Sequence, residues 1–261
     1  MLLVEDPAVD IATPTGPMRM YVYRPLPAHG TPAAPAKIAA PAQIARWPGL
    51  VVYSEIYQRT APIHRMAALL AGHGFLVVVP EIFHDLEPAG TVLPYDKQGT
   101  ERGNFCKTAR PVAAYDADGR AALDWLARSP HCTGKLGVMG ICIGGHLAFR
   151  VALQPDVRAA ACFYATDLHK GSLGQGGDDS LARAGEISGE LLMGWGRQDP
   201  HIPDEGRAMI QRRLVEAGRT FTWHEWNAQH AFLRDEGPRY DPALALTSYQ
   251  LVVELFRRTL S

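Results

Sequence analysis

From Pro48 to the C-terminus, short apolar runs alternate with amphipathic stretches of helical length, and that rhythm leaves few folds open. The runs Leu50–Ser54, Phe75–Pro80, Lys135–Gly140, Ala159–Tyr164, Leu191–Gly196 and Thr220–Trp226 read as strands. Most are apolar nearly throughout, the pattern of strands covered on both faces. Ala61–His73, Val112–Ala127, Gly145–Leu153, Glu205–Ala217 and Pro242–Arg257 carry apolar residues at helical spacing, and the first of them stops at Gly74. Strands alternating with helices predict an α/β fold: a mostly parallel central sheet with helices on both faces. Met18–Tyr23 alternates apolar with polar residues and is expected as an edge strand of an N-terminal hairpin.

Two segments break the rhythm. Residues 25–48 are rich in Pro and Ala and read as an exposed connection between the hairpin and the sheet. Residues 84–110 are long and polar, with Tyr95, Arg102 and Phe105, and read as a loop covering an active site, because long ordered loops in compact domains are usually functional. The 261 residues are within reach of one domain, residues 1–261, with a full hydrophobic core. A formal charge of -1 supplies no general positive field, so nucleic acid and membrane surfaces are not expected partners. The N-terminus lacks a basic region followed by an apolar run, so the expected location is cytoplasmic. The spacings of the cysteines, Cys106, Cys132, Cys142 and Cys162, match neither a zinc cluster nor a disulfide framework, so reduced thiols and no metal are expected.

The chemistry concentrates in Gly140-Ile141-Cys142-Ile143-Gly144-Gly145, where a strand runs into a helix. A nucleophile can be raised on such a strained turn when the flanking positions are glycines, whose missing side chains would otherwise collide. The helix N-terminus carries partial positive charge that favours a thiolate, and the N–H of Ile143 points where a tetrahedral oxyanion would form. A buried, inert cysteine beside two packing glycines would look the same in isolation. What separates the readings lies downstream, in the chain order nucleophile, acid, histidine.

Gly196-Arg197-Gln198-Asp199-Pro200 follows an apolar strand and places Asp199 at the sheet edge where open α/β sheets bind ligands. Asn227-Ala228-Gln229-His230-Ala231-Phe232 follows the next strand and brings His230 to the same edge. A carboxylate bonded to the histidine Nδ1–H would fix its tautomer and favour the imidazolium formed during proton transfer. His146, His201 and His224 compete for the role, but none stands in the loop after the last strand.

Taken together, these stretches resemble the dienelactone hydrolase family, which includes the carboxymethylenebutenolidases, from about Pro48 to the C-terminus: Gly-Ile-Cys-Ile-Gly-Gly is similar to its cysteine elbow, Gly-Arg-Gln-Asp-Pro to its acid loop and Gln-His-Ala-Phe to its histidine loop. The resemblance implies an α/β-hydrolase fold and hydrolysis of an ester or lactone of a small molecule; such chemistry needs only nucleophile, base and oxyanion donors, so no cofactor is expected, and a monomer or homodimer is expected. It also implies that Glu55, in Val52-Tyr53-Ser54-Glu55-Ile56-Tyr57, exchanges a proton with the resting thiol while the N–H of Ile56 completes the oxyanion hole. Of the two arginines with which the family grips a substrate carboxylate, Arg234 matches one. The other position falls in acidic His84-Asp85-Leu86-Glu87, which leaves the sign of charge the pocket prefers open. Tyr57, Tyr95 and Arg102 are further candidates for substrate contact. Two rival functions stand beside this one: a broad carboxylesterase or thioesterase, and a non-catalytic ligand-binding or redox-sensing protein on the same fold.

Overall fold

The computed structural model describes residues 3–25 and 44–261. Of the connection expected over 25–48, residues 26–43 lie outside the described residues. The strands are β1 (Leu3–Thr13), β2 (Gly16–Pro25), β3 (Trp47–Tyr53), β4 (Leu76–Pro80), β5 (Cys132–Ile141), β6 (Val157–Phe163), β7 (Glu190–Gly196) and β8 (Phe221–Trp226). They form one sheet in the order β1-β2-β4-β3-β5-β6-β7-β8. The pairings from β4 through β8 are parallel, and β2 runs against both of its neighbours. The expected mostly parallel sheet is therefore present.

The helices are α1 (Ala61–Gly72), α2 (Lys97–Ala109), α3 (Val112–Arg128), α4 (Ile143–Val151), α5 (Asp204–Glu216) and α6 (Pro242–Leu260). The pleat shows how two of them divide between the faces. Gly49 pairs with Leu136, and the space above Gly49 is filled by Leu126 of α3 and by Leu136 itself. Gly137, one residue on and so facing the other way, lies under Phe256 and Leu260 of α6. β3, β4 and β5 are buried along most of their length, which is why their sequences read as unbroken apolar runs. No helix among the described residues is long and apolar enough to cross a membrane.

Two expectations are corrected. Met18–Tyr23 lies not at the edge but between β1 and β4; its alternation reflects burial of alternate residues, not an unpaired flank. Residues 84–110 are not a loop throughout, because Lys97–Ala109 is helical. That helix buries only Gly99, Gly103 and Cys106, so it has no apolar stripe to betray its period. Its start is marked instead by Asp96, whose carboxylate accepts the Gly99 N–H at 2.7 Å.

The topology fixes where a site can form. After β3 the chain moves outward to β4, then returns past β3 to β5 and continues in the other direction. The loops leaving the carboxyl ends of β3 and β5 therefore diverge and leave a crevice between them, the usual ligand position in an open α/β sheet. Residues 54–58 and Cys142 stand at that divergence.

The glycines after β5 make the approach possible. A Cβ on Gly144 would stand 2.4 Å from the Tyr53 carbonyl oxygen, and one on Gly140 1.9 Å from that of Gly144. Gly144→Ala should therefore cost about 1–3 kcal/mol or more of unfolding free energy. Gly72→Ala, in open space at the end of α1, should be neutral or stabilising by up to about 1 kcal/mol. Urea unfolding followed by circular dichroism compares the two, and equal stability of Gly144→Ala and the natural chain would contradict the packing described.

Candidate active site

Cys142 is the N-cap of α4, with φ 60° and ψ -126°. Few residues other than glycine hold a positive φ, and the strain persists because the flanking backbone is tied down. The Cys142 N–H donates to the Phe163 carbonyl at 3.1 Å, and its own carbonyl accepts from Gly145 and Thr166 at 3.0 and 3.2 Å. The result is a nearly buried thiol, 8% exposed, at the floor of a cavity of about 230 Å³.

His230 and Asp199 arrive from the ends of β8 and β7. Asp199 Oδ2 accepts from His230 Nδ1 at 2.6 Å, and both residues are buried. Oδ1 of the same carboxylate accepts the His201 N–H at 2.8 Å, so both oxygens are used and the carboxylate cannot swing. The His230 ring is held edge-on between Tyr164 (5.0 Å between centroids, 66°) and His201 (4.7 Å, 69°). Burial works against a charge on His230, but Cys142 and Asp199 outweigh it and push its pKa up to about 10. Cys142 is the larger of the two influences, Asp199 the other.

Glu55 and Ile56 stand just past β3 on the opposite wall. Glu55 is 2% exposed, and burial raises its carboxyl above the ordinary range, opposed by Arg234, His230 and the Tyr95 hydroxyl. Arg234 Nη1 lies 3.8 Å from Glu55 Oε1, and the Tyr95 hydroxyl donates to Oε2 at 3.3 Å. Among the described residues, neither the Ile56 N–H nor the Ile143 N–H has an acceptor.

The remaining candidates divide. Tyr57 and Arg234 line the cavity. Tyr95 does not; it sits behind Glu55 with its ring 4.3 Å from the Arg234 guanidinium, a supporting position rather than a contact surface. Arg102 is also corrected: it pairs with Glu87 and the Leu86 carbonyl and packs on Phe105. The reason is helical phase. Thr100, Asn104 and Lys107 of α2, at positions i, i+4 and i+7, face the cavity, and Arg102 points elsewhere.

Lys107 and Arg239 are lining cations that the sequence did not single out. Lys107 Nζ pairs with Asp167 Oδ2 at 2.6 Å, whereas Arg239 has no ion pair among the described residues. The acidic stretch after β4 is absent from the cavity wall. Asp85 pairs at 2.7 Å with the fully buried Arg110, and Glu87 pairs with Arg102.

The sequence model of the dienelactone hydrolase family matches residues 34–260. A carboxymethylenebutenolidase-type protein of Saccharomyces cerevisiae is 39% identical over 268 residues, covering 99% of this chain and 93% of its own. The carboxymethylenebutenolidase of Pseudomonas sp. (strain P51) is 26% identical, covering 82% and 85%. Among solved structures, a dienelactone hydrolase-type protein from Klebsiella pneumoniae superposes with a TM-score of 0.79 at 20% identity over 99% of this chain and 100% of its own. A dienelactone hydrolase-like promiscuous phosphotriesterase from metagenomic libraries gives 0.73 at 18% identity over 99% of each.

The charge on His230 has a measurable consequence. A histidine whose pKa is raised on folding lends stability that is complete below its unfolded value of about 6.5. That stability fades as the pH climbs through about 10. Asp199→Asn should lower the His230 midpoint and shrink this pH-dependent stability, read by NMR titration of the imidazole and by urea unfolding across the range. An unchanged midpoint would contradict the coupling.

Proposed function

The chain belongs to the dienelactone hydrolase family, and from that premise we propose that it hydrolyses an ester or lactone of a small molecule through an acyl-enzyme on Cys142. The observation that carries the proposal is the meeting, in one cavity, of a cysteine on a strained turn and a histidine bonded to a buried carboxylate. A ligand-binding protein needs none of these together, and holding Cys142 at positive φ has a cost of about 1–3 kcal/mol with no return in stability.

The proposed steps follow from the donors available. The Cys142 thiolate attacks the carbonyl carbon, and its oxygen gathers negative charge between the N–H groups of Ile56 and Ile143. His230 gives its proton to the departing alkoxide, which leaves a thioester on Cys142. His230 then takes a proton from water as the water attacks the thioester, and the same oxyanion donors serve again. The acid is released, and the Cys142 thiolate and protonated His230 are regenerated, with no net change in the protein. Asp199 keeps the imidazole in one tautomer throughout. Glu55, kept from water and held above its ordinary range, is suited to exchange a proton with Cys142 in the resting cleft.

The cavity charges favour a substrate bearing a carboxylate. Arg234 is shared with Glu55 and Lys107 with Asp167, whereas Arg239 has no ion pair among the described residues. An incoming anion competing for Arg234 would loosen its hold on Glu55. A broad esterase with no charge preference is the alternative, and kinetics separate the two. Arg239→Gln should raise KM for a carboxylate-bearing lactone about three- to tenfold and leave that for a neutral p-nitrophenyl ester unchanged. Cys142→Ser and His230→Ala should each lower kcat by about a hundredfold or more on every substrate turned over. Full activity of Cys142→Ser would sink the mechanism, and an equal effect of Arg239→Gln on both substrates would sink the charge preference.

A further inference from the structure

His201 has no task in the reaction just described, yet it is placed as though it shares the site. Its ring nitrogens bond to no protein group among the described residues, and its ring packs on that of His230. One ligating atom from each of Asp199, His201 and His230 lies within 4.8 Å of the other two. Two imidazoles and a carboxylate, with room for a solvent ligand in the cavity, are a donor set suited to a zinc-type divalent ion. From this juxtaposition we infer that Asp199, His201 and His230 form an inhibitory site for a divalent transition-metal ion of the zinc type, with His201 as the residue specific to it.

Bond lengths of about 2.0–2.2 Å place tetrahedral donors roughly 3.3–3.5 Å apart, so the widest gap in the cluster, at most 4.8 Å, must close by up to about 1.4 Å. His201 is exposed and can supply most of that closure by rotating its side chain, while Asp199 and His230, whose Oδ2 and Nδ1 stand 2.6 Å apart, exchange their hydrogen bond for the ion and separate slightly. Whichever nitrogen of His230 binds the ion, proton transfer stops: one is occupied with Asp199 and the other faces Cys142. Of the neighbouring charges, Asp167 favours a cation and Arg239 opposes it. Binding rests on geometry alone, and its inhibitory effect rests on the reading of His230 as the base. The ion is not a cofactor in this account, because it competes with the chemistry rather than supplying it.

The test is calorimetric titration of the full chain with zinc chloride, beside ester turnover with and without zinc and after adding a chelator. The natural chain should bind one zinc ion at this site and lose turnover reversibly. His201→Gln, which changes an exposed side chain and should melt at the same temperature, should weaken both binding and inhibition at least tenfold. Cys142→Ser should keep the binding. No binding by the natural chain, undiminished binding by His201→Gln, or loss of binding in Cys142→Ser would each overturn the inference. Metal-free turnover is a separate reading: zinc binding without any ester hydrolysis would leave the site standing and remove the proposed activity.

Discussion

Cys142 can hold a positive φ only where three successive close approaches are left open by glycine. Gly140 passes under the first turn of α4, Gly144 lies against the Tyr53 and Ser54 carbonyls, and Gly145 against that of Phe163. These contacts draw α4 onto the ends of β3 and β6, so one turn sets the distance between the thiol and the Glu55 wall. The Cys142 carbonyl then binds the Thr166 N–H and fixes the segment that supplies Thr166 and Asp167 to the cavity. A larger residue at any of the three positions would move the sulfur and both walls together.

The second organising element is the placement of charge. A buried carboxylate is costly unless it is paired or protonated, and Glu55 has partial partners: a guanidinium at 3.8 Å and a phenol at 3.3 Å. Neither contact is as close as that between Asp199 and His230. Asp199 is locked by two donors and Glu55 is held loosely, an arrangement that suits one acid to positioning and the other to proton exchange. The cationic lining follows from where the acids go. Asp85 and Glu87 are spent on Arg110 and Arg102, outside the cavity, and Lys107 and Arg239 remain to face it.

The legible part of the site was the part written in contiguous residues. Glycines around a cysteine, Gly-Arg-Gln-Asp-Pro after one strand and Gln-His-Ala-Phe after the next each declare a local geometry, and strand order brings them to one edge. The parallel sheet was legible for the same reason, since burial on both faces leaves unbroken apolar runs. What stayed hidden depends on packing between distant segments. The helix Lys97–Ala109 uses glycines where an apolar stripe would ordinarily be: a Cβ on Gly103 would stand 2.6 Å from the Ile56 carbonyl oxygen. Reading it as a loop concealed the spacing of Thr100, Asn104 and Lys107 and promoted Arg102, which helical phase turns away. Arg239 follows no strand and carries no motif, so only the fold reveals it beside His201.

The central claim is a covalent bond to one sulfur, and its most direct measurement is trapping. A lactone and ester panel should be mixed with the protein, quenched at low pH within a turnover, and digested for peptide mass spectrometry. The account predicts an acyl increment on the peptide carrying Cys142 and on no other cysteine peptide. Hydrolysis that proceeds while the label falls on Cys106, Cys132, Cys162 or a serine would contradict it.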